Sequence, residues 1–175
     1  MKNRLWLLVV GGLLAGCGLL PGIGGPQVNG SFSDSPDGTY KWANVNAGKV
    51  RLALIGVTSS GITSYNGQAE VKDVNVFRAY ALELPSAPPA GAYRVYAYCD
   101  ANGSGSFDPG EDIADSGSKL LIWATADSSF AFGSTRFDLK KGWNGYDSSQ
   151  ALSSSNPYQG ENYNNYNLTL RANCP

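Results

Sequence analysis

Between Asp100 and Glu111 the chain reads Asp-Ala-Asn-Gly-Ser-Gly-Ser-Phe-Asp-Pro-Gly-Glu, with oxygen-bearing side chains at the first, third, fifth, ninth and twelfth positions. A hard divalent cation takes six to eight oxygens, and a short chain supplies them by wrapping the ion in alternate steps and turning sharply at its middle. On that template Asp100, Asn102 and Ser104 offer side-chain oxygens, Ser106 its backbone carbonyl, Asp108 a direct or water-mediated contact, and Glu111 a bidentate carboxylate. Gly105 stands at the turning position, and Phe107 at the eighth, where an apolar ring anchors such a loop to a core. The ion implied is calcium.

Two ligand positions are weaker than they can be, since Ser104 is neutral and Asn102 stands where a carboxylate is allowed. Modest affinity follows. Asp112 and Asp115 bring the acids between positions 100 and 115 to five of the chain's fourteen, with no Lys or Arg among them. Such crowding repels itself unless a cation neutralises it. The alternative is a Gly/Asn/Asp turn whose side chains hydrogen-bond their own backbone without metal.

Other chemistry is excluded by what the chain lacks. It has no histidine, which removes Ser-His and Cys-His nucleophiles, His-ligated zinc and copper, and the side chain best suited to proton transfer at neutral pH. Glycoside cleavage needs only two carboxylates, but no pair stands out, and the expectation is a non-enzyme. Gly103-Ser-Gly-Ser106 lacks the lysine and helix of a phosphate loop. No basic stripe favours nucleic acid, and the acidic loop would repel phosphate.

Lys2 and Arg4 precede an apolar run from Leu5 to Leu14 that is too short to cross a bilayer as a permanent helix. The run ends Leu14-Ala15-Gly16-Cys17, resembling a bacterial lipobox. Residues 1–16 are therefore expected to be a signal peptide, and Cys17 the lipid-bearing terminus held on a membrane by its acyl chains; an ordinary cleavable signal is the alternative. Gly18 follows, where an Asp would suggest inner-membrane retention in some bacteria, so the expected place is the cell envelope at the outer membrane or outer surface.

Cleavage leaves 159 residues (175 − 16), enough for one core, with 11 basic against 14 acidic residues and a formal charge of −3 (11 − 14). Export leaves Cys99 and Cys174 in an oxidising compartment, where they are expected to pair and close a loop of about 75 residues. Two unpaired thiols, or an intermolecular bond, are the alternatives.

The elements that must hold these groups have strand grammar. Residues 17–38, rich in Gly, Pro, Ser and Asn, read as a flexible tether, in which Phe32 can dock as a short edge strand. From 39 to 175 short runs of Val, Ile, Leu, Tyr and Trp alternate with turn residues. Strands are expected at 41–46, 49–57, 70–83, 92–99, 119–124, 129–139 and 166–172. In the strand before the acidic loop, Tyr93, Val95, Ala97 and Cys99 share the parity that should face the core, while Arg51 to Gly56, in which Leu52, Leu54 and Gly56 alternate with Arg51, Ala53 and Ile55, reads as buried on both faces. Residues 140–166 read as a long polar loop whose rings, Trp143, Tyr146, Tyr158 and Tyr163 among them, are the main candidates for exposure. The fold class expected is all-β, an antiparallel β-sandwich of about seven strands with a calcium-type loop and one long polar loop.

Within Leu82 to Trp123, the series Leu-Glu-Leu-Pro, a Pro-rich corner, Gly91-Ala-Tyr93-Arg-Val95 and then Asp100-Ala-Asn102-Gly-Ser104-Gly105-Ser106-Phe107-Asp108-Pro-Gly110-Glu111 resembles bacterial surface β-sandwich modules. The likeness is to transthyretin-like or carboxypeptidase-regulatory-like domains and to the calcium-binding B-type repeats of cell-wall adhesins, and it covers about a quarter of the chain. It implies calcium that stiffens a sandwich. Two functions are then open: a lipid-anchored envelope protein with a structural or adhesive role, its partners the membrane and a cell-surface protein or polysaccharide; or a carbohydrate-binding module that stacks sugars on Trp143, Tyr146, Tyr158 and Tyr163.

Overall fold

The computed structural model describes residues 25–58, 61–70 and 78–175. The signal segment 1–16, Cys17, and residues 71–77 of the run expected at 70–83 lie outside the described residues. Twelve strands are described: β1 (Gln27–Ser33), β2 (Val50–Thr58), β3 (Gly61–Glu70), β4 (Ala79–Glu83), β5 (Gly91–Cys99), β6 (Asp112–Asp115), β7 (Lys119–Ala124), β8 (Ser128–Phe132), β9 (Thr135–Leu139), β10 (Gly142–Asp147), β11 (Asn162–Tyr163) and β12 (Leu168–Leu170). Many are shorter than the seven runs expected. Helical content among the described residues is two single 3-10 turns, Trp42–Asn44 and Ala47–Lys49. The domain is all-β with mixed sheets, an arrangement consistent with a β-sandwich.

β5 is the strand on which the others are assembled. It lies antiparallel to β2, from Val50 opposite Cys99 to Val57 opposite Ala92, and β3 continues the sheet beyond β2. On its other edge β5 pairs with β7 through Gly91–Tyr93 and with β6 through Tyr96–Tyr98, and β10 extends the sheet beyond β7. β6 hands the sheet to β12, which runs parallel to β1. β1 pairs parallel with β11 also, and antiparallel with β4, so the purely antiparallel expectation fails at β1.

Both faces of the central strands are buried. Tyr93, Val95, Ala97 and Cys99 join Leu52, Leu54, Phe32 and Trp42 in the larger core, as their shared parity predicts. The other parity is buried too: Ala92, Tyr96 and Tyr98 pack with Ala53, Ile55 and Phe137 in a second cluster, which the separate β8–β9 hairpin helps to cover. Burying each such Leu, Ile or Val side chain contributes about 1.5–3 kcal/mol.

Three expectations need correction. The tether assigned to 17–38 contains β1, whose Val28 and Phe32 are almost fully buried. The strand expected at 41–46 is a 3-10 turn, because Trp42 drops its ring into the core against Phe32 and donates from its indole nitrogen to the Ser33 carbonyl at 2.9 Å. The run 129–139 folds back on itself as β8 and β9, with Gly133 at φ 61° in the turn.

The long polar loop is also only partly a loop. β10 pairs with β7 from Gly142 opposite Ala124 to Asp147 opposite Lys119, and the chain after it is gathered by one buried side chain. Asn156 donates from Nδ2 to the Asp147, Gln150 and Ala151 carbonyls at 2.9, 3.2 and 3.3 Å, while its Oδ1 accepts from the Asp147 amide at 2.9 Å. One amide thus satisfies backbone groups that strand pairing leaves open.

Cys99 and Cys174 form a disulfide, with Cα atoms 5.4 Å apart. The strand ends then sort into two poles. Gly91 at the start of β5 pairs with Trp123 near the end of β7, and the Trp143 indole at the start of β10 donates to the Pro85 carbonyl at 2.9 Å; the Leu84 amide in turn donates to the Pro26 carbonyl at 2.8 Å. The chain's entry to the domain and the Pro-rich corner therefore share one pole. At the other, about 30 Å away along β5, the Asp100 amide donates to the Lys49 carbonyl at 2.8 Å and the acidic loop begins.

Candidate metal centre

The acidic loop leaves β5 through a tied neck. The Cys99 amide donates to the Glu111 carbonyl at 2.9 Å, and Glu111 Oε2 accepts from the Asp108 amide at 3.1 Å. Inside the neck the chain turns three times at glycine, with Gly103 and Gly105 both at φ 71° and Gly110 at φ 96°. At Gly105, the expected turning position, a side chain would be strained. Phe107 lies with its ring 5.9 Å from that of Tyr96 and 5.6 Å from that of Tyr98, the anchoring expected of the eighth position.

Four of the six expected ligand residues converge. Asn102 Oδ1 accepts from the Ser104 amide at 2.8 Å, and its Nδ2 donates to Asp108 Oδ2 at 3.1 Å. Ser104 Oγ sits 3.0 Å from the Ser106 carbonyl and 3.5 Å from Asp108 Oδ2. The two outer carboxylates engage the loop's backbone amides, Asp100 that of Gly105 and Glu111 that of Asp108. Glu111 is turned to the neck, and among the described residues no three His, Cys, Asp or Glu side chains gather into a group able to hold a metal.

Asp100 is the unusual member, a carboxylate only 5 % exposed. Its Oδ2 accepts from Arg51 Nε at 2.7 Å and from the Gly105 amide at 3.1 Å. Its Oδ1 is buried and has no hydrogen-bond partner. The Arg51 hydrogen bond, outweighing the opposing effect of burial and aided by the Gly105 amide, holds this carboxyl below the usual carboxylate range. Tyr98, whose hydroxyl donates to the Gly105 carbonyl at 3.4 Å, is pushed up to about 12 by burial first and the Asp100 charge second.

The sequence reading gave Arg51 no role at the acidic loop. Its signal was its isolation as a charge within the apolar run Val50–Val57, and β2 sets it opposite Tyr98, two positions before Asp100. Arg171 was missed likewise; it forks between Asp112 and Asp115 with its guanidinium 5.8 Å from the Tyr96 ring centroid. The five clustered acids therefore divide. Arg171 answers Asp112 and Asp115, Arg51 answers Asp100, and Asp108 and Glu111 make no ion pair among the described residues. The loop with Arg51 carries a net charge of −2 (three carboxylates against one guanidinium), the charge one divalent ion cancels.

Every candidate donor atom is oxygen, a type that suits calcium and not a soft metal, and a buried acceptor calls for a hydrogen-bond donor or a cation.

The rings proposed as stacking platforms are elsewhere and turned inward. Trp143, Tyr146 and Tyr163 are at most 5 % exposed, Trp143 packing edge-on against Tyr93 and Trp123 and Tyr163 donating to the Trp143 carbonyl at 2.7 Å. Tyr158 is half-buried and lies over Gly145. The rings of Trp143, Tyr146 and Tyr163 are therefore covered by the protein's own packing and not open to a sugar.

No family model matches the chain, and neither a curated protein nor a solved structure matches it.

Proposed function

We propose that this chain is a non-enzymatic, lipid-anchored protein of the bacterial envelope. Its all-β domain is a calcium-stiffened β-sandwich that displays its far pole for structural or adhesive contacts with a cell-surface protein or polysaccharide. The observation that carries the metal reading is Asp100 Oδ1, a buried carboxylate oxygen without a partner at the first position of an oxygen-only loop. Asp100, Asn102, Ser104 and Asp108 would hold the ion through side chains and Ser106 through its carbonyl, with Glu111 swinging in from the neck. Calcium would supply the positive charge that the loop's remaining carboxylates lack.

Lipidation at Cys17 gives the molecule a direction. Gly25, the first described residue, is eight positions on from Cys17, a reach of at most about 28 Å. The pole with Pro26 and the Pro-rich corner then faces the membrane, and the acidic loop points away from it. Calcium braces the end that meets partners.

The test is thermal unfolding of the soluble domain with calcium and with chelator. For an affinity of about 10⁻⁴ M, about 10 mM calcium adds roughly 2.7 kcal/mol, or some 5–10 °C in Tm. An unchanged Tm removes the calcium. Metabolic labelling with a fatty acid tests the anchor separately: label lost in Cys17→Ala supports it, and an unlabelled wild-type chain refutes it.

A further inference from the structure

We propose that Arg51 is the internal counter-cation of the acidic loop: it keeps the ion-free loop folded and sets its metal affinity low. The inference rests on the calcium reading above and adds to it the residue that tunes the site.

The geometry gives Asp100 two unequal oxygens. Oδ2 is taken by Arg51 Nε and the Gly105 amide, and Oδ1 is left buried and unpartnered. A metal entering the loop therefore need not displace Arg51; it would bind the other oxygen of the same carboxylate. Before it arrives, Arg51 neutralises a carboxylate that burial would otherwise penalise. An ion on that oxygen would be repelled by the guanidinium across the one carboxylate.

Two effects of Arg51 oppose each other. Holding Asp100 in one orientation saves ordering entropy and favours binding, by up to about tenfold for a rotamer-rich side chain and less for a short buried Asp. A single charge facing a double one at about 6 Å costs about tenfold in affinity at the permittivity of water, and more in a half-buried site. The repulsion wins. Arg51 also stands on β2, so its position is fixed by pairing with β5 and does not depend on the loop. Its charge leaves the loop at −2, matched to one divalent ion, and places the affinity in the range of extracellular calcium modules, about 10⁻⁴ to 10⁻³ M.

The experiment compares wild type, Arg51→Gln and Arg51→Lys by calcium titration of the whole soluble domain and by ion-free Tm. Arg51→Gln is expected to melt lower than wild type without calcium, to bind calcium about tenfold more tightly, and to show the larger rise in Tm when calcium is added. Arg51→Lys keeps the charge and is expected to stay within about threefold of the wild-type affinity. Equal or weaker calcium affinity in Arg51→Gln overturns the proposal, showing that orientation outweighs repulsion. Should Arg51→Gln fold only with calcium, that dependence supports it; should it not fold at all, a tenfold gain in Arg51→Lys overturns the charge argument and an unchanged affinity supports it. Absence of binding in all three proteins is a different result: it defeats the calcium reading itself, and this inference with it.

Discussion

Opening the Cys99–Cys174 bond is the perturbation whose size follows most directly from the chain. The two cysteines are 75 residues apart, and a cross-link over that span removes about 15 cal/mol/K of loop-closure entropy from the unfolded chain, or about 4.5 kcal/mol at 25 °C. Both cysteines lie in the larger core, and the Asn46 amide donates to the Cys174 carbonyl at 2.9 Å. That contact does not depend on the S–S bond, so the loss is set by the entropic figure. The assay is urea unfolding of the same protein before and after reduction, with the reduced thiols blocked. For a slope of about 2 kcal/mol/M the midpoint should fall by roughly 2 M. A fall of less than about 0.5 M, corresponding to roughly 1 kcal/mol, would refute the reasoning and show that the C-terminus is held by its packing alone.

Three shorter predictions test the fold around the loop. In Gly30→Ala the new Cβ would sit 2.2 Å from the Tyr166 carbonyl oxygen and 2.7 Å from Tyr80 Cε1; backbone cannot yield there, so denaturant unfolding should show a loss of about 3 kcal/mol or more, and a neutral result would mean β1 sits differently. Phe107→Ala removes a half-buried ring from Tyr96 and Tyr98, and should cost about 2 kcal/mol, roughly half the usual penalty for a fully buried Phe. Asp37 is held down to about 2 by the Thr39 and Ser35 hydroxyls and the Thr39 amide. A depressed carboxyl stabilises the fold above its unfolded pKa and loses that contribution as pH falls through the folded one, so the Tm should decline between about pH 4 and pH 2, less steeply in Asp37→Asn; equal slopes would show that Asp37 contributes nothing.

The clearest parts of this fold in the sequence were those where one parity is uniformly apolar. Tyr93, Val95, Ala97 and Cys99 gave the core face of β5, and β7 was legible at its observed bounds because Lys119 to Ala124 is a short apolar run. Glycine misled in two places. Val28, Gly30 and Phe32 share a face of β1, yet Gly30 looked like flexibility when it is there because the Tyr166 backbone approaches that point. Gly145 likewise makes room for the Tyr158 ring inside β10, and Asn144 looked like loop although it is buried and donates to the Lys140 and Gly142 carbonyls at 2.7 and 3.0 Å. In the acidic loop the turn at Gly105 and the packing of Phe107 against Tyr96 and Tyr98 could be read directly. Arg51 and Arg171 could not, because each reaches the acids from a strand distant in sequence, and only tertiary pairing brings the charges together.

A calcium titration followed by the backbone amide signals of the ion-free domain decides the central claim. The amides from Asp100 to Glu111, Gly105 and Asp108 foremost, should shift and saturate at one ion per chain with a dissociation constant of about 10⁻⁴ to 10⁻³ M, and Asp100→Asn should abolish the response. Signals that stay fixed across that segment, or an identical titration in Asp100→Asn, would contradict it.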